Sequence, residues 1–190
     1  MMYGFAKERK LLNIGIKIIV KMKIQDINLM TDDAFINFFK DIFEKTPLLA
    51  KLSLKYKPFK DKKHLIKIFI KEFDELDNHS KKNIIKKHPD LGNKIKINEN
   101  LTNLSKNEQK GAGLDNCTPE EYSLFHQMNN EFKLKFDIPF IYAVKGANKF
   151  MIIEEFKRRL KNNNVENELS ESIKQVKKIA FLRLDEIIDE

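Results

Sequence analysis

Residues 118–136 read TPEEYSLFHQMNNEFKLKF, and this segment gives the clearest evidence of the fold class. Thr118 is a good helix cap, Pro119 suits the first helical position because no intrahelical hydrogen bond is lost there, and Glu121 completes a capping box. Side chains that a core can bury then follow at the spacing of one helical face: Tyr122, Phe125, Met128, Asn129, Phe132 and Phe136. The segment therefore predicts a long helix with a well-defined start.

Four more helices are predicted on the N-terminal side of this segment. They are a helix capped by Thr31 that carries Phe35, Phe38, Phe39, Ile42 and Phe43 on one face, a short helix with Pro47 at its first position, and helices at 61–76 and 80–87. The last of these must stop before Pro89, because the residue ahead of a proline avoids helical backbone geometry. His88 is therefore predicted at a helix C-terminus.

The remaining segments are predicted as three further helices, a loop and an apolar run. They are a polar loop at 92–104, a helix from about 105 to 113, an apolar run at 139–144 that is either a buried strand-like segment or a tight entry to a helix, and helices at 148–162 and 165–189. The chain has 190 residues with only 6 Gly and 5 Pro, and it shows no internal repeat and no second core. We expect an all-α domain at 22–190, folded as a single compact bundle of about eight helices.

The net charge of +8 is concentrated at the N-terminus. Residues 1–21 contain five Lys or Arg residues against one Glu, a balance of +4, so the other 169 residues carry only +4. We interpret residues 1–21 as a basic extension that is disordered or lies upstream of the true start at Met22. Elsewhere lysines alternate with acids along helical stretches, and no aromatic-and-basic pattern accompanies them, so nucleic acid is not expected as a partner.

Several other classes of protein are disfavoured by the composition. No apolar run reaches the roughly 18 residues that a membrane span needs, so no membrane partner is expected. The single cysteine, Cys117, permits no internal disulfide and suits the cytoplasm. The four histidines lack a short metal-ligand spacing, so no metal site is expected. The glycines at 111 and 113 fit a helix end better than a nucleotide-binding loop.

His88 opens the segment HPDL at 88–91 and is the first candidate for catalysis. An imidazole at the mouth of a helix C-terminus, followed by a rigid proline turn, has the fixed direction that acid–base catalysis requires. The helix dipole there favours the charged ring, whereas burial opposes it. Taken alone, such a histidine is either a structural cap or a catalyst.

A second candidate is the segment SKNEQ at 105–109. Its Ser-x-x-Glu spacing is that of a capping box, and a helix N-terminus also offers free N–H groups to an anion. Both functions are compatible, because Ser105 can cap while Glu108 or Gln109 turns to a ligand. A third candidate is Arg183, which lies on or beside the apolar stripe of the last helix. There it either extends to the surface or binds a carboxylate in two places.

Ten phrases spread along the chain match one known family in order. They are Phe43-Glu44-Lys45-Thr46-Pro47, Lys57-Pro58-Phe59, His88-Pro89-Asp90-Leu91, Leu101-Thr102, Ser105-x-x-Glu108-Gln109, Ala112-Gly113-Leu114-Asp115, Phe125-x-x-x-Asn129, Phe136-x-Ile138-Pro139-Phe140, Val144-Lys145-Gly146 and Lys178-Ile179-Ala180-x-Leu182-Arg183-Leu184. Together they resemble the 2-oxo-4-hydroxy-4-carboxy-5-ureidoimidazoline (OHCU) decarboxylases. The resemblance extends from about Ile24 to the C-terminus.

The resemblance implies an all-helical homodimer that converts the unstable product of urate oxidation and ring hydrolysis into (S)-allantoin and CO2 without a cofactor. It makes His88 the catalytic acid or base, Glu108 its catalytic partner and Arg183 the residue that holds the substrate anion. The substrate-binding residues that it implies are Pro89, Ser105, Lys106, Asn107, Glu108, Gln109, Phe140, Ile141, Tyr142, Ala143 and Val144. Which way His88 first moves a proton stays open.

Three positions depart from the family pattern. Leu48 replaces an aromatic residue, Asp137 replaces a glycine and Gly92 replaces an alanine. None of them is a predicted catalytic residue, so they bear on local packing and on substrate breadth. The competing hypothesis is a helical interaction module that kept the scaffold and lost its chemistry, and the joint presence of His88, Glu108, Gln109 and Arg183 argues against it.

Overall fold

The computed structural model describes residues 21–93 and 101–189, so most of the basic segment 1–21 lies outside the described residues. The described part contains nine α-helices: α1 Ile24–Leu29, α2 Asp32–Phe39, α3 Leu48–Ser53, α4 Lys62–Asp74, α5 Asn78–Lys86, α6 Asn103–Gly111, α7 Pro119–Phe136, α8 Lys149–Leu160 and α9 Val165–Ile187. Two 3-10 turns, Leu54–Tyr56 and Leu114–Asn116, add to them. The predicted all-α bundle is confirmed.

Helix α7 begins as the sequence predicts. The Thr118 hydroxyl accepts from the Glu121 N–H at 3.2 Å, and the Glu121 carboxylate accepts from the Thr118 N–H at 2.8 Å. The helix ends at Asp137, which has a left-handed backbone with φ of 55°. Because the two ends are fixed in this way, the buried face of α7 keeps its register against the core.

Phenylalanine rings fill the centre of the bundle in two groups. The first group is Phe35, Phe39, Phe59 and Phe69, and the second is Phe132, Phe136, Phe140 and Phe156. All eight are buried, and each such ring contributes about 1.5–3 kcal/mol by leaving water. The two groups belong to one hydrophobic core that α4, α7 and α9 share.

Several segments differ from their predicted structure. Helix α2 ends at Phe39, so Ile42 and Phe43 are buried in a turn rather than on its face. This turn continues into a left-handed backbone at Glu44 and Lys45, with φ of 31° and 51°. Residues 139–144 form neither helix nor strand.

Helix α6 starts two residues earlier than predicted. Its cap is Thr102, whose hydroxyl accepts from the Ser105 N–H at 3.2 Å, so the expectation that Ser105 caps this helix is wrong. The physical reason is that the Ser105 hydroxyl lies on the buried side of α6, where it donates to the carboxylate of Glu44 at 2.6 Å. Thr102 thus caps the helix and also donates to the Glu44 carboxylate at 3.3 Å, whereas the Ser105 hydroxyl is engaged only on the buried side.

The two ends of the described chain meet. The Met22 N–H donates to the Ile187 carbonyl at 2.8 Å, and the Asp189 N–H donates to the Met22 carbonyl at 2.9 Å. These two bonds make an isolated parallel bridge between Met22 and Ile188. They fasten the segment before α1 to the end of α9.

Candidate active site

His88 lies just beyond the C-terminus of α5, as predicted. Its backbone N–H donates to the carbonyl of Ile85 at 3.0 Å, and its Nδ1 is 3.1 Å from the carbonyl of Ile84. The side chain is buried, with the residue only 8% exposed. Within the described part of the chain, Nε2 has no hydrogen-bond partner. The ring is therefore held from one side while its second nitrogen stays available.

The pKa of His88 is lowered to about 4, chiefly by burial and then by the positive charge of Arg183. The negative charge of Glu44 and the backbone carbonyls of Ile84 and Ile85 oppose this change. The imidazole is accordingly neutral near pH 7. Because a carbonyl oxygen only accepts, the contact with Ile84 places the one ring proton on Nδ1. Nε2 then carries a free lone pair, which suits a base.

Arg183 is buried in α9 and does not reach the surface. Its Nε and Nη2 donate to the two carboxylate oxygens of Glu108, both at 2.7 Å. Its Nη1 donates to the Asp41 carbonyl at 2.8 Å and to the Glu44 carboxylate at 3.1 Å, and Nη2 also donates to the Ser105 hydroxyl at 3.0 Å. Burial works to lower its pKa, but the hydrogen bonds and charges of Glu108 and Glu44 outweigh burial and raise it.

Glu44 is a member of this cluster that the sequence did not single out. It lies in the turn between α2 and α3 and is 1% exposed. Its carboxylate accepts from Thr102, Ser105 and Arg183. In the sequence, Glu44 is marked only by its place in the phrase Phe43-Glu44-Lys45-Thr46-Pro47. That phrase supports the family resemblance but does not assign a role to Glu44.

Most of the residues implied by the family resemblance surround one small cavity. Its lining includes His88, Pro89, Ser105, Glu108, Gln109, Phe140, Ile141, Tyr142, Val144 and Arg183, together with Leu91 and Ile179. The cavity volume is about 30 Å³. This is close to the volume that one water molecule takes up in the liquid and far below the ~300 Å³ of a pocket that holds a ligand. This cavity is therefore closed to a ligand in this structure, whereas His88 and Pro89 also line a wider cavity of about 470 Å³.

Three of the implied substrate-binding residues lie outside this cavity. Lys106 and Asn107 follow Ser105 on α6, and at about 100° per residue they point away from the side that carries Ser105 and Glu108. Asn107 lines a wider cavity of about 510 Å³ on the outer side of the Glu108–Arg183 pair. Ala143 is buried, and its N–H donates to the side-chain oxygen of Gln175 at 3.0 Å.

Gln109 fixes the turn that follows His88. Its side-chain oxygen accepts from the Gly92 N–H at 3.2 Å, and its amide group donates to the Asp90 carbonyl at 3.4 Å. Asn129 of α7 donates to the Leu91 carbonyl at 2.9 Å. Two amide side chains on different helices thus hold the backbone of residues 90–92, which keeps His88 in place.

A second buried ion pair supports the pocket wall at 140–144. Arg159 of α8 donates from Nη1 to the Ile141 carbonyl at 2.5 Å, and its guanidinium lies 4.7 Å from the centre of the Phe140 ring. It also pairs with the carboxylate of Glu168 and donates to the Ser172 hydroxyl. Arg159 and Glu168 were not predicted as site residues, because their spacing on two successive helices is typical of surface charges.

The described residues show neither a metal site nor a helix that could span a membrane. The described residues, 21–93 and 101–189, contain no cluster of three His, Cys, Asp or Glu side chains placed to hold a metal ion. None of the helices in those two ranges combines the length and apolar character required to cross a membrane.

Comparison with known proteins identifies the family. The family model described as OHCU decarboxylase matches residues 28–185. The chain belongs to the OHCU decarboxylase family. The decarboxylase of Xenopus laevis is 32% identical over 163 residues, which cover 86% of this chain and 93% of that protein. The uric acid degradation bifunctional protein of Bacillus sp. (strain TB-90) is 31% identical over 169 residues, 89% of this chain and 33% of that longer protein.

A solved OHCU decarboxylase structure has the same fold. That crystal structure, obtained in the presence of (S)-allantoin, superposes with a TM-score of 0.65 at 17% identity. The superposition covers 85% of this chain and 100% of the other. The family and the all-α fold are thus established by independent comparisons of sequence and of structure.

Two of the three departures from the family pattern have local explanations. Gly92 has a φ of 66°, and a Cβ there would lie 2.6 Å from the Phe125 ring, so this backbone requires glycine. Asp137 occupies the left-handed position at the end of α7, where the family has glycine, and it pairs with Lys82 at 3.0 Å and with Lys86 at 2.8 Å. Leu48 is half-exposed at the start of α3, away from the closed cavity.

Proposed function

We propose that this chain decarboxylates 2-oxo-4-hydroxy-4-carboxy-5-ureidoimidazoline to (S)-allantoin and CO2 in urate breakdown, with His88, Glu108 and Arg183 as its catalytic residues. One observation carries the proposal. A neutral imidazole with a free, buried Nε2 shares a pocket with a two-point Arg183–Glu108 ion pair. Such a site offers a base and a carboxylate-binding group side by side.

The chemistry needs no external electron sink. When the bond between C4 and the carboxylate breaks, its electron pair moves towards the adjacent ring C=N, CO2 leaves and the ring nitrogen takes a proton from solvent. The 4-hydroxyl then loses its proton and becomes the ring carbonyl, while C5 gains a proton. The balance is one proton consumed for each CO2 released. The protein must orient the carboxylate and direct protonation to one face of C5.

His88 can move the hydroxyl proton in this sequence. Its pKa of about 4 keeps Nε2 unprotonated near pH 7, so His88 acts first as a base and takes the proton of the 4-hydroxyl. The imidazolium that forms can then donate to C5 from the same side. Because Ile84 holds Nδ1, the ring cannot turn away between the two transfers. One fixed face of attack accounts for a single enantiomer.

Substrate binding requires Glu108 to release Arg183. The guanidinium already donates to Glu108, Glu44, Asp41 and Ser105, and the cavity of about 30 Å³ is too small for an imidazoline ring. The Glu108 side chain is 23% exposed and lines the wider outer cavity of about 510 Å³, whereas the Glu44 side chain is only 1% exposed. We therefore infer that Glu108 is the residue that moves. The substrate carboxylate then takes its place beside Arg183.

The direct test replaces His88. In a coupled urate-oxidation assay followed by circular dichroism, we expect His88→Asn to lower the enzymatic formation of (S)-allantoin by about 100-fold or more. His79→Asn is the matched control, because His79 is an exposed histidine on α5, the helix that ends just before His88. Formation of (S)-allantoin by His88→Asn at the wild-type rate would overturn the proposal.

We also propose that the enzyme is a homodimer in the cytoplasm. The single cysteine fits a reducing compartment. Exposed apolar side chains at the start of α8, Phe150 at 66% and Met151 at 50%, offer surface for a subunit contact. Light scattering should give a molar mass near twice 22.5 kDa, and fractionation of cells should recover the protein with cytosolic markers.

A further inference from the structure

A second carboxylate lies beneath the pair that Glu108 makes with Arg183. The Oε2 of Glu44 accepts three hydrogen bonds: from the Ser105 hydroxyl at 2.6 Å, from Arg183 Nη1 at 3.1 Å and from the Thr102 hydroxyl at 3.3 Å. Glu44 does not line the closed cavity. It therefore contacts residues of the pocket without facing the substrate.

The backbone around Glu44 is shaped to bring this carboxylate inward. Glu44 and Lys45 are consecutive non-glycine residues with positive φ, a conformation that L-amino acids rarely adopt. The Thr46 hydroxyl donates to the Glu44 carbonyl at 3.0 Å and supports the turn. Strained backbone of this kind persists where the surroundings hold it, and it concentrates at functional sites. A buried ion pair is also weak as a source of stability, because removing both charges from water is costly.

We propose that Glu44 is a positioning residue for the decarboxylation, which holds Arg183 and Ser105 in place while Glu108 gives way to the substrate. The inference rests on the proposed function. When Glu108 leaves, Arg183 loses two of its hydrogen bonds, and Glu44 with the Asp41 carbonyl still holds Nη1. The substrate carboxylate then restores the arrangement of one guanidinium between two carboxylates.

The three contacts of Glu44 join parts of the chain that are far apart in sequence. Thr102 caps α6, Ser105 lies in its first turn, and Arg183 lies on α9. One carboxylate thus fixes the distance between a helix N-terminus and the guanidinium opposite it. Without the charge of Glu44, only the Asp41 carbonyl and the Ser105 hydroxyl hold Arg183 once Glu108 has moved, so its direction is less firmly fixed. The loss is expected in substrate binding first, since Arg183 and Ser105 are binding groups in the proposed function.

The test is Glu44→Gln, with Glu72→Gln as the matched control. Glu72 is also buried, at 2% exposure, and accepts from Lys55 at 3.2 Å and from the Tyr56 hydroxyl at 2.7 Å, but it lies outside the pocket. We expect Glu44→Gln to raise KM about 10- to 100-fold with a smaller fall in kcat. Glu72→Gln should lower Tm and leave both kinetic constants unchanged. The conservative Glu44→Asp, which keeps the charge, should recover part of the loss in KM.

A second measurement does not depend on turnover. The Nη–H signals of Arg183 in NMR spectra, assigned by their absence in Arg183→Lys, should be resolved in the wild type and in Glu72→Gln, because Glu44 and the Asp41 carbonyl hold Nη1. They should be broadened in Glu44→Gln. An unchanged signal together with unchanged KM in Glu44→Gln would overturn the inference. If the wild type itself forms no (S)-allantoin above the spontaneous rate, the proposed function fails, whereas the NMR comparison still decides whether Glu44 positions Arg183.

Discussion

Arg159 and Ile141 are joined by a 2.5 Å hydrogen bond from the guanidinium Nη1 to the backbone carbonyl, behind the wall of the pocket. The guanidinium also pairs with Glu168, and both side chains are 1% exposed. An extended segment without helical or strand hydrogen bonds thus receives its support from a buried cation. The support is rigid because Phe140 and Phe156 stack beside it, with ring centres 3.7 Å apart.

Removing this cation should destabilise the fold strongly. Arg159→Met leaves the Glu168 charge buried without its partner, and we expect the free energy of unfolding to fall by about 3–5 kcal/mol in urea titrations. Arg158→Met is the matched control, since Arg158 is exposed and pairs with Glu155 at the surface, and it should change stability by less than about 0.5 kcal/mol. Equal effects of the two substitutions would show that the buried pair has no special role.

The buried neutral His88 should make stability depend on pH. Its pKa is about 4 in the folded chain and near the ordinary value of 6.5 in the unfolded chain. As pH falls from 6.5 to 4, the unfolded state binds the proton first, so stability decreases by about 3 kcal/mol over that window. His88→Asn should lose about 3 kcal/mol less than the wild type between pH 7 and pH 4. Parallel pH profiles of the two proteins would contradict this account, and His79→Asn should follow the wild type.

Three glycines should rank in a definite order when replaced by alanine. Gly92→Ala combines a positive φ with a Cβ placed 2.6 Å from the Phe125 ring, and we expect it to destabilise by about 2–4 kcal/mol. Gly113→Ala has a φ of 75° but open space, so the expected loss is about 1 kcal/mol. Gly111→Ala, in helix α6 with nothing within 4 Å, should be neutral or stabilising. Thermal or urea unfolding measures all three, and any other order would refute the assigned causes.

Glu108→Gln should strengthen the binding of a carboxylate. The neutral amide competes less well for Arg183, so a hydantoin that bears a carboxylate, hydantoin-5-acetate, should bind about tenfold more tightly than to the wild type. Unsubstituted hydantoin is the matched control ligand and should show little change in Kd. Calorimetry gives both values. Weaker binding of hydantoin-5-acetate by Glu108→Gln would mean that Glu108 does not occupy the position of the substrate carboxylate.

The sequence predicted those features that depend on interactions between neighbouring residues. Thr118 and Glu121 fixed the start of α7, and Pro89 placed His88 beyond the end of α5. Both depend only on neighbouring residues, because capping and the steric effect of proline act within a single turn. The proximity of His88, Glu108 and Arg183 came instead from the family resemblance.

Long-range packing decided the features that the sequence left open. Thr102 and Ser105 can both cap a helix, and the Ser105 hydroxyl does not do so because it bonds Glu44 and Arg183, which are 61 and 78 residues away. The helix dipole raises the pKa of His88 and burial lowers it. Burial dominates because the bundle encloses the ring deeply. Glu44 and Arg159 carry no local mark of their roles, since both act through partners on other elements.

The bridge between Met22 and Ile188 has a consequence for engineering. Because the first and last described segments leave the bundle from the same point, a short linker from Asp189 to Met22 would close the chain without disturbing α1 or α9. New termini could then be opened in a surface turn, giving a circular permutant. For the same reason, the helical unit could be inserted into an exposed loop of a host protein as a self-contained cassette.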